Sequence, residues 1–372
     1  MTIPLRPRVA TVAELADWDR LTVDPPGGHV YQSLAWAEQR ARLGWRPLHV
    51  MLDDEHGALV LLRRFPLVGG TSAYVPRGPI ADPAESQPGV AARIVALADW
   101  LGSQGVAVVA MDPEIRATRT AIGDELRSAG FHAIPEIQPS RHRISLALSP
   151  GTDDGAVRSA MTKSTRQRIA AAERGAIAVA RFDVGGWPGE HPLFDRTEAG
   201  LTDALSGFAS LLEATGQRRG FRFGPRQVFL DWWHAAHAAG RLIYLEARDA
   251  AVPSDALGGL ILYRHGDRLS TVHSADAPGA REAHPGVMHL LRWRAIQLAI
   301  REGRSEMDLG GVDVGPDHRE PGPGDAMAGL YEHKRSFGAT WVEMLGAHER
   351  VNRPWRYATG RLAARAARLL GG

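Results

Sequence analysis

Cysteine is missing from all 372 residues and lysine nearly so: of 44 basic side chains, only Lys163 and Lys334 are lysine. The first absence excludes disulfides, cysteine nucleophiles and thiolate metal sites. The second singles out two positions, because an ammonium is a compact point charge and a guanidinium a broad planar fork. An arginine-rich chain keeps lysine either where the compact charge is required or through nucleotide composition alone. Long apolar runs are also absent, and no stretch approaches the roughly 20 residues of a membrane span. The first ten residues carry Arg6, Pro7 and Arg8 without an apolar core, so they do not read as a secretory signal. Cytoplasmic residence is the expectation. Acid is scarce in two places. From Arg350 onward there are six arginines and no acid, and Arg158 to Arg174 is relieved only by Glu173. Such patches suit nucleic acid, phosphates or an anionic membrane face, and a solvated surface is the plain alternative.

What is present is ordinary for a soluble globular protein: 44% apolar and 23% charged residues. The length suggests two or three domains of about 150 residues. Helical patterns run over Val12 to Leu21, over Ser33 to Leu43 with a serine cap, near Val90 to Leu101, and over Arg116 to Ala129. Leu48 to Leu52 and Ala58 to Phe65 read as a hairpin. Ser72 to Val75, Val106 to Met111 and Arg143 to Leu148 read as further strands. The second half replays this order. Leu242 to Ala247, Leu257 to Tyr263 and Leu269 to Val272 form a meander, followed by a helix from Pro285 to Glu302 and a strand ending at Met307-Asp308-Leu309. The helix bearing Lys334 and a strand from Thr340 to Leu345 complete it. Pro150 to Gly155 reads as a linker and Gly185 to His191 as a loop. The pattern predicts a duplicated α+β unit rather than a doubly wound parallel sheet.

The fifteen histidines form no H-E-x-x-H or comparable set, and no metal is called for. Neither a G-x-S-x-G elbow nor a phosphate loop ending in G-K-[ST] occurs. Gly310-Gly311 is a strand-end turn whose N–H groups can face a ligand, or simply a tight turn. The element order is that of the Gcn5-related acyltransferase (GNAT) fold. The place of that fold's [QR]-x-x-G-x-[GA] pyrophosphate loop reads Glu282-Ala283-His284-Pro285-Gly286-Val287, which argues against CoA as donor. No other cofactor is called for.

Several segments, in register, resemble the Fem-type aminoacyltransferases that build peptidoglycan bridges. They are Gln32-Ser33 with Trp36, Pro76-Arg77-Gly78-Pro79, Asp112-Pro113-Glu114, Lys163 through Gly175, Arg218-Arg219-Gly220, Asp308-Leu309-Gly310-Gly311, and Lys334 with Phe337-Gly338. The resemblance spans nearly the whole chain. It implies two tandem GNAT-like domains, residues 1–149 (completed by 346–372) and 150–345, without the long helical hairpin of some members. It implies a donor, aminoacyl-tRNA, and an acceptor amine on a murein stem peptide, carried by lipid II or UDP-MurNAc-pentapeptide. Related enzymes use the same donor on peptide-antibiotic acceptors, and a non-catalytic binding module remains a third reading.

Attack of an amine on an ester builds an oxyanion and releases a ribose hydroxyl without a covalent enzyme intermediate, so positioning and a well-placed cation carry the chemistry. Lys334 matches the family's catalytic-site lysine, with Phe337 in the same motif. Asp112 matches an aspartate placed to orient the attacking amine or take its proton, with Arg77 in the adjoining motif. Lys163, Arg166 and Arg168 are the candidates for tRNA or substrate phosphates. Some relatives line the acceptor pocket with tyrosines where Thr271 and His273 stand here. The arginine that grips the acceptor's diphosphate in a compact relative falls at Gly224, leaving Arg222, Arg226 and Arg40 as substitutes. The terminal stretch Arg361 to Leu370 reads as an amphipathic helix able to touch the inner membrane face or to pack on the first domain.

Overall fold

The computed structural model describes residues 5–66, 69–138, 141–175, 177–183, 198–219, 224–251, 256–312, 314–315 and 318–370. The chain forms two compact units, Met1–Arg141 with Glu343–Gly372, and His142–Val342. The first runs β1 (Arg8–Val9), α1 (Val12–Ala16), α2 (Trp18–Thr22), α3 (Leu34–Arg42), β2 (Arg46–Met51), β3 (Gly57–Arg64), β4 (Thr71–Val75), α4 (Gln87–Ser103), β5 (Val106–Met111), α5 (Thr120–Ser128) and β6 (Phe131–Ala133). The second begins with β7 (His142–Ala147), α6 (Asp154–Ala160), α7 (Lys163–Arg174), β8 (Ile177–Phe182), α8 (Glu198–Arg219), α9 (Arg226–Ala238), β9 (Leu242–Asp249), β10 (Ala256–His265) and β11 (Arg268–Asp276). It continues through α10 (Ala280–Ala283), α11 (Val287–Arg301), β12 (Glu306–Asp308), α12 (Ala328–Arg335) and β13 (Thr340–Glu343). The chain then returns to the first unit with β14 (His348–Val351) and α13 (Pro354–Leu370).

Each unit is built on a seven-stranded mixed sheet, ordered β1-β2-β3-β4-β5-β14-β6 and β13-β7-β12-β11-β10-β9-β8. In both, antiparallel strands lead to one parallel pair, β4 with β5 and β11 with β12. Beyond that pair lies an antiparallel strand from elsewhere in the chain, β14 on β5 and β7 on β12. The duplicated α+β order is therefore real, although its strand exchange is not visible in local pattern. The strand expected to close the first half, Arg143 to Leu148, pairs with β12 instead, Leu146 opposite Met307. The unit boundary thus falls after Arg141 rather than after Ser149. The expected helix over Val12 to Leu21 is two short helices parted at Asp17, which ends one and starts the other. The loop from Gly185 to His191 lies outside the described residues. The longest described helix is α8, 22 residues, so no long hairpin is present among them.

The core of the second unit explains where its site falls. Eleven residues of α11 are buried, because the sheet covers one side and α7 the other. Leu291, Ala295 and Leu298 join Ile243, Leu260 and Leu262 from the sheet and Ile169 and Ala172 from α7. Each large apolar side chain buried there contributes roughly 1.5–3 kcal/mol. The approach of α7 is closest at the start of α11. A Cβ on Gly286 would lie 2.3 Å from the Arg168 carbonyl oxygen, and Gly286 has φ +99°. Gly286→Ala is therefore expected to cost about 2–4 kcal/mol in urea unfolding. Gly279→Ala, at φ +76° but with open space around it, should cost only about 1 kcal/mol.

Candidate active site

Strands β11 and β12 pair only over Arg268–Ser270 and Glu306–Asp308, while β11 continues to Asp276. Past that point the parallel pair parts. On its other edge the register of β11 slips, Ile261 facing His273 and Leu262 facing Thr271, so Val272 is the extra residue of a bulge. On the β12 side the chain turns at Gly310, φ +78°. Its N–H donates to Asp308 Oδ1 at 2.7 Å. A Cβ on Gly310 would sit 2.8 Å from the Thr271 carbonyl oxygen and 3.3 Å from Lys334 Nζ, so the turn needs glycine.

Lys334 projects from the last turn of α12 into this turn. Its Nζ donates to the carbonyls of Gly310 (3.0 Å) and Gly311 (2.8 Å). Of the two readings of the glycine pair, N–H groups facing a ligand or a tight turn at positive φ, Gly310 shows the turn. The Gly310 N–H is taken by Asp308, and the two carbonyls hold the lysine. Lys334 is 6% exposed. Burial pulls its pKa down to about 7, aided by Arg292 and opposed by Asp308. Beside it, His333 Nδ1 lies 3.2 Å from His289 Nε2. Phe337, fully buried, packs against both rings, 6.0 Å from His289 and 5.6 Å from His333. Phe337 is thus a support for the imidazoles within the core. Burial lowers both imidazole pKa values, that of His289 to about 4 and that of His333 further. The lysine therefore has an aromatic, uncharged wall at neutral pH.

The two lysine-bearing segments touch. Thr162 N donates to the Ser336 carbonyl at 3.0 Å, and Thr165 Oγ1 donates to Ser336 Oγ at 2.7 Å. Lys163 and Arg168 remain exposed on α7. Arg166 folds back onto the carbonyls of Ser159 (3.2 Å) and Met161, so it braces the α6–α7 turn. Thr271 is buried with its Oγ1 lacking a hydrogen-bond partner. His273 is boxed by Phe229 and Trp233 at 5.6 and 5.7 Å, and burial lowers its pKa to about 4. Arg226 ties α9 to α8 through Ser210 (3.0 Å), Glu213 (3.2 Å) and Ser206 (2.6 and 2.8 Å), which occupies its fork. Arg222 lies outside the described residues.

In the first unit, Asp112 follows β5 directly and is 1% exposed. Its Oδ1 accepts from Tyr74 Oη (3.0 Å) and from the Arg77 N–H (2.8 Å). Its Oδ2 has no hydrogen bond and stands 3.7 Å from Arg77 Nε. Burial pushes its pKa up to about 6 against the pull of Arg77. Glu114 lies 4.0 Å from the same Nε and 3.7 Å from His29 Nε2. Arg40 covers Trp36 at 3.8 Å, and Trp36 stacks on Tyr31 at 4.1 Å. The charges of Arg77, Arg40, Asp112 and Glu114 all act on Tyr31. Three sequence candidates, Arg40, Arg77 and Asp112, thus share one cluster. Tyr31, Tyr74 and His29 were not foreseen. Only the position of Tyr74, two residues before the Pro76 motif, hinted at a role.

Two tandem acyltransferase-type units, one carrying a buried lysine at the end of a parted parallel strand pair, define an acyltransferase class of enzyme. A model of the FemAB family matches residues 14–232, and one of a GNAT acetyltransferase domain matches residues 163–335. The chain belongs to the FemAB family. It is similar to a crystal structure of FemX, at 16% identity and a TM-score of 0.74, over 96% of this chain and 100% of that one. It is also similar to L-PGS from Bacillus licheniformis, at 11% identity and a TM-score of 0.50, over 95% and 97% of the two chains. No curated protein matches significantly.

The environment of Asp112 makes a pH prediction. Its pKa rises on folding from 3.8 to about 6, so between those values the folded state holds a proton that the unfolded chain has lost. Stability from this group is fully present below pH 3.8 and falls as pH rises through 6. Asp112→Asn, the same shape without the charge, should melt higher than wild type at pH 7 and match it near pH 4. Equal melting differences at both values would contradict this environment.

Proposed function

We propose that this chain is a tRNA-dependent aminoacyltransferase that moves an amino acid from aminoacyl-tRNA to an amine of a peptidoglycan stem-peptide precursor, lipid II or UDP-MurNAc-pentapeptide. The observation that carries the reading is Lys334, the one buried lysine, fixed by two carbonyls at the parted end of β11 and β12 in a FemAB family member. The acceptor amine attacks the ester carbonyl, a C–N bond forms, and the carbonyl electron pair moves onto oxygen. The Lys334 ammonium faces that oxyanion in a nearly water-free setting, where a fixed cation is most effective. Collapse breaks the C–O bond to the ribose, whose oxygen takes up a proton. In the first unit, Asp112 is a separate candidate, a buried carboxyl able to orient an amine or accept its proton. Exposed Lys163 and Arg168 suit contacts to the tRNA backbone, whose binding would weaken with salt. The start of α11, where a CoA enzyme holds pyrophosphate, is packed against α7 at Gly286, which supports a donor other than CoA. The basic α13 suits peripheral contact with the inner membrane face, where lipid-linked acceptors reside. The second reading, the same donor with a peptide-antibiotic acceptor, is favoured by Thr271 and His273 standing where relatives carry tyrosines.

The test is transfer of label from a mixed pool of aminoacyl-tRNAs to lipid II, the nucleotide pentapeptide or a peptide-antibiotic precursor. Lys334→Ala is expected to lower kcat by about 10²–10³-fold. Lys334→Arg should not restore it, because a planar, delocalised fork does not place a compact charge on one atom between the Gly310 and Gly311 carbonyls. The ammonium of the free enzyme is lost as pH rises through about 7, so kcat/KM should carry a descending limb there that Lys334→Ala lacks. Wild-type rates in Lys334→Ala would remove the lysine from the mechanism. Failure of all three acceptors would remove the function.

A further inference from the structure

Arg292 sits on α11 at 2% exposure. Its Nη1 reaches only the Met288 carbonyl of its own helix at 3.3 Å, and its Nη2 only Ser274 Oγ at 3.4 Å. Its Nε has no partner. Both bonds are at the long limit for a charged donor. Among the described residues no carboxylate pairs with it. Asp276, the acid whose field reaches Arg292, is gripped in both oxygens by Arg281, at 2.6 and 2.9 Å. Asp308 binds the Gly310 N–H and feels Arg143 and Arg268. Arg292 stands three residues after His289 on α11, and His289 Nε2 lies 3.2 Å from Nδ1 of His333, the neighbour of Lys334, so all four belong to one corner of the unit and the charge of Arg292 acts on both Lys334 and His333. A buried guanidinium is normally paired with an anion, because leaving water without one is costly. This corner holds two buried cations, two neutral imidazoles and no anion on Arg292.

We infer that Arg292 receives a carboxylate of the acceptor peptide and so holds the acceptor beside Lys334. This rests on the aminoacyl-transfer reading given above. The planar fork matches a planar carboxylate through two parallel N–H···O bonds. The α-carboxyl of the donor is already esterified, whereas a peptide acceptor carries free carboxylates. One buried fork with two long bonds, to the Met288 carbonyl and Ser274 Oγ, suits a single small anion at the tip of a substrate rather than a continuous polyphosphate backbone. Binding there would also raise the proton affinity of Lys334 by offsetting the Arg292 charge, keeping the ammonium in place for the oxyanion.

The experiment compares wild type, Arg292→Gln and Arg292→Lys with UDP-MurNAc-pentapeptide and with the same compound after its carboxylates are amidated. Binding is followed by calorimetry without donor, transfer is followed with aminoacyl-tRNA, and circular dichroism checks that each variant is folded. Wild type should bind the native acceptor at least tenfold more tightly than the amidated one. Arg292→Gln should lose that preference, with KM for the native acceptor rising at least tenfold, kcat changing less than twofold and KM for the amidated acceptor unchanged. Arg292→Lys should keep part of the preference. A folded Arg292→Gln that retains the wild-type preference overturns the inference, as does one that loses affinity for both acceptors equally. Wild-type transfer that ignores amidation also overturns it and leaves the aminoacyl-transfer reading standing. A carboxylate preference lost in Arg292→Gln, with no transfer from any aminoacyl-tRNA, supports the inference and sinks the tRNA donor.

Discussion

The second unit is organised around an ammonium caught between two backbone carbonyls. Strands β11 and β12 stop pairing at Ser270 and Asp308, and beyond that point backbone groups would be left without ladder partners. Lys334 satisfies the carbonyls of Gly310 and Gly311, while Asp308 satisfies the Gly310 N–H. A single nitrogen serves both carbonyls here, and an uncharged donor would bring no cation. The burial of Lys334 lowers its pKa to about 7, so the fold holds a charge that it only just retains at neutral pH. Docking of α7 through Thr162 and Thr165 onto Ser336 fixes the end of the helix that delivers it.

The duplication reuses one device with different outcomes. Each unit's parallel pair ends in an aspartate, Asp112 after β5 and Asp308 at the end of β12. Each aspartate accepts a backbone N–H from the turn beside it, that of Arg77 or Gly310. Burial raises the pKa of both. In the second unit the neighbouring cation is a lysine on carbonyls. In the first it is Arg77, which lies near both Asp112 and Glu114, with Tyr74 bonded to Asp112 and Tyr31 stacked on Trp36. Topological equivalence therefore positions comparable groups, and local composition decides their charge.

Much of this was legible in the chain itself. The meander, helix and strand order of each half followed from apolar period and turn residues, as with the hairpin of β2 and β3 around Asp53 to Gly57. The arginine bias singled out Lys163 and Lys334, and the structure buries the second. What local pattern misplaced were the groups whose role depends on a partner. Arg226 reads as a free cation in sequence and is bound to Ser206, Ser210 and Glu213. Phe337 reads as a site residue and lies in the core. Arg292 drew no notice at all, since an arginine inside an amphipathic helix normally reaches water.

The sequence by itself determined much of the element order, the duplication, the absence of thiol chemistry and the two positions that carry an ammonium. Those depend on side-chain period, composition and residue type, which are local. Only the tertiary structure decided that β7 and β14 are the strands placed beside β12 and β5. Hydrogen-bond partners in a sheet are chosen by the whole assembly rather than by either strand. It alone decided that Lys334 meets carbonyls and that Arg292 is buried without a carboxylate, because desolvation and charge pairing are set by everything packed around a group.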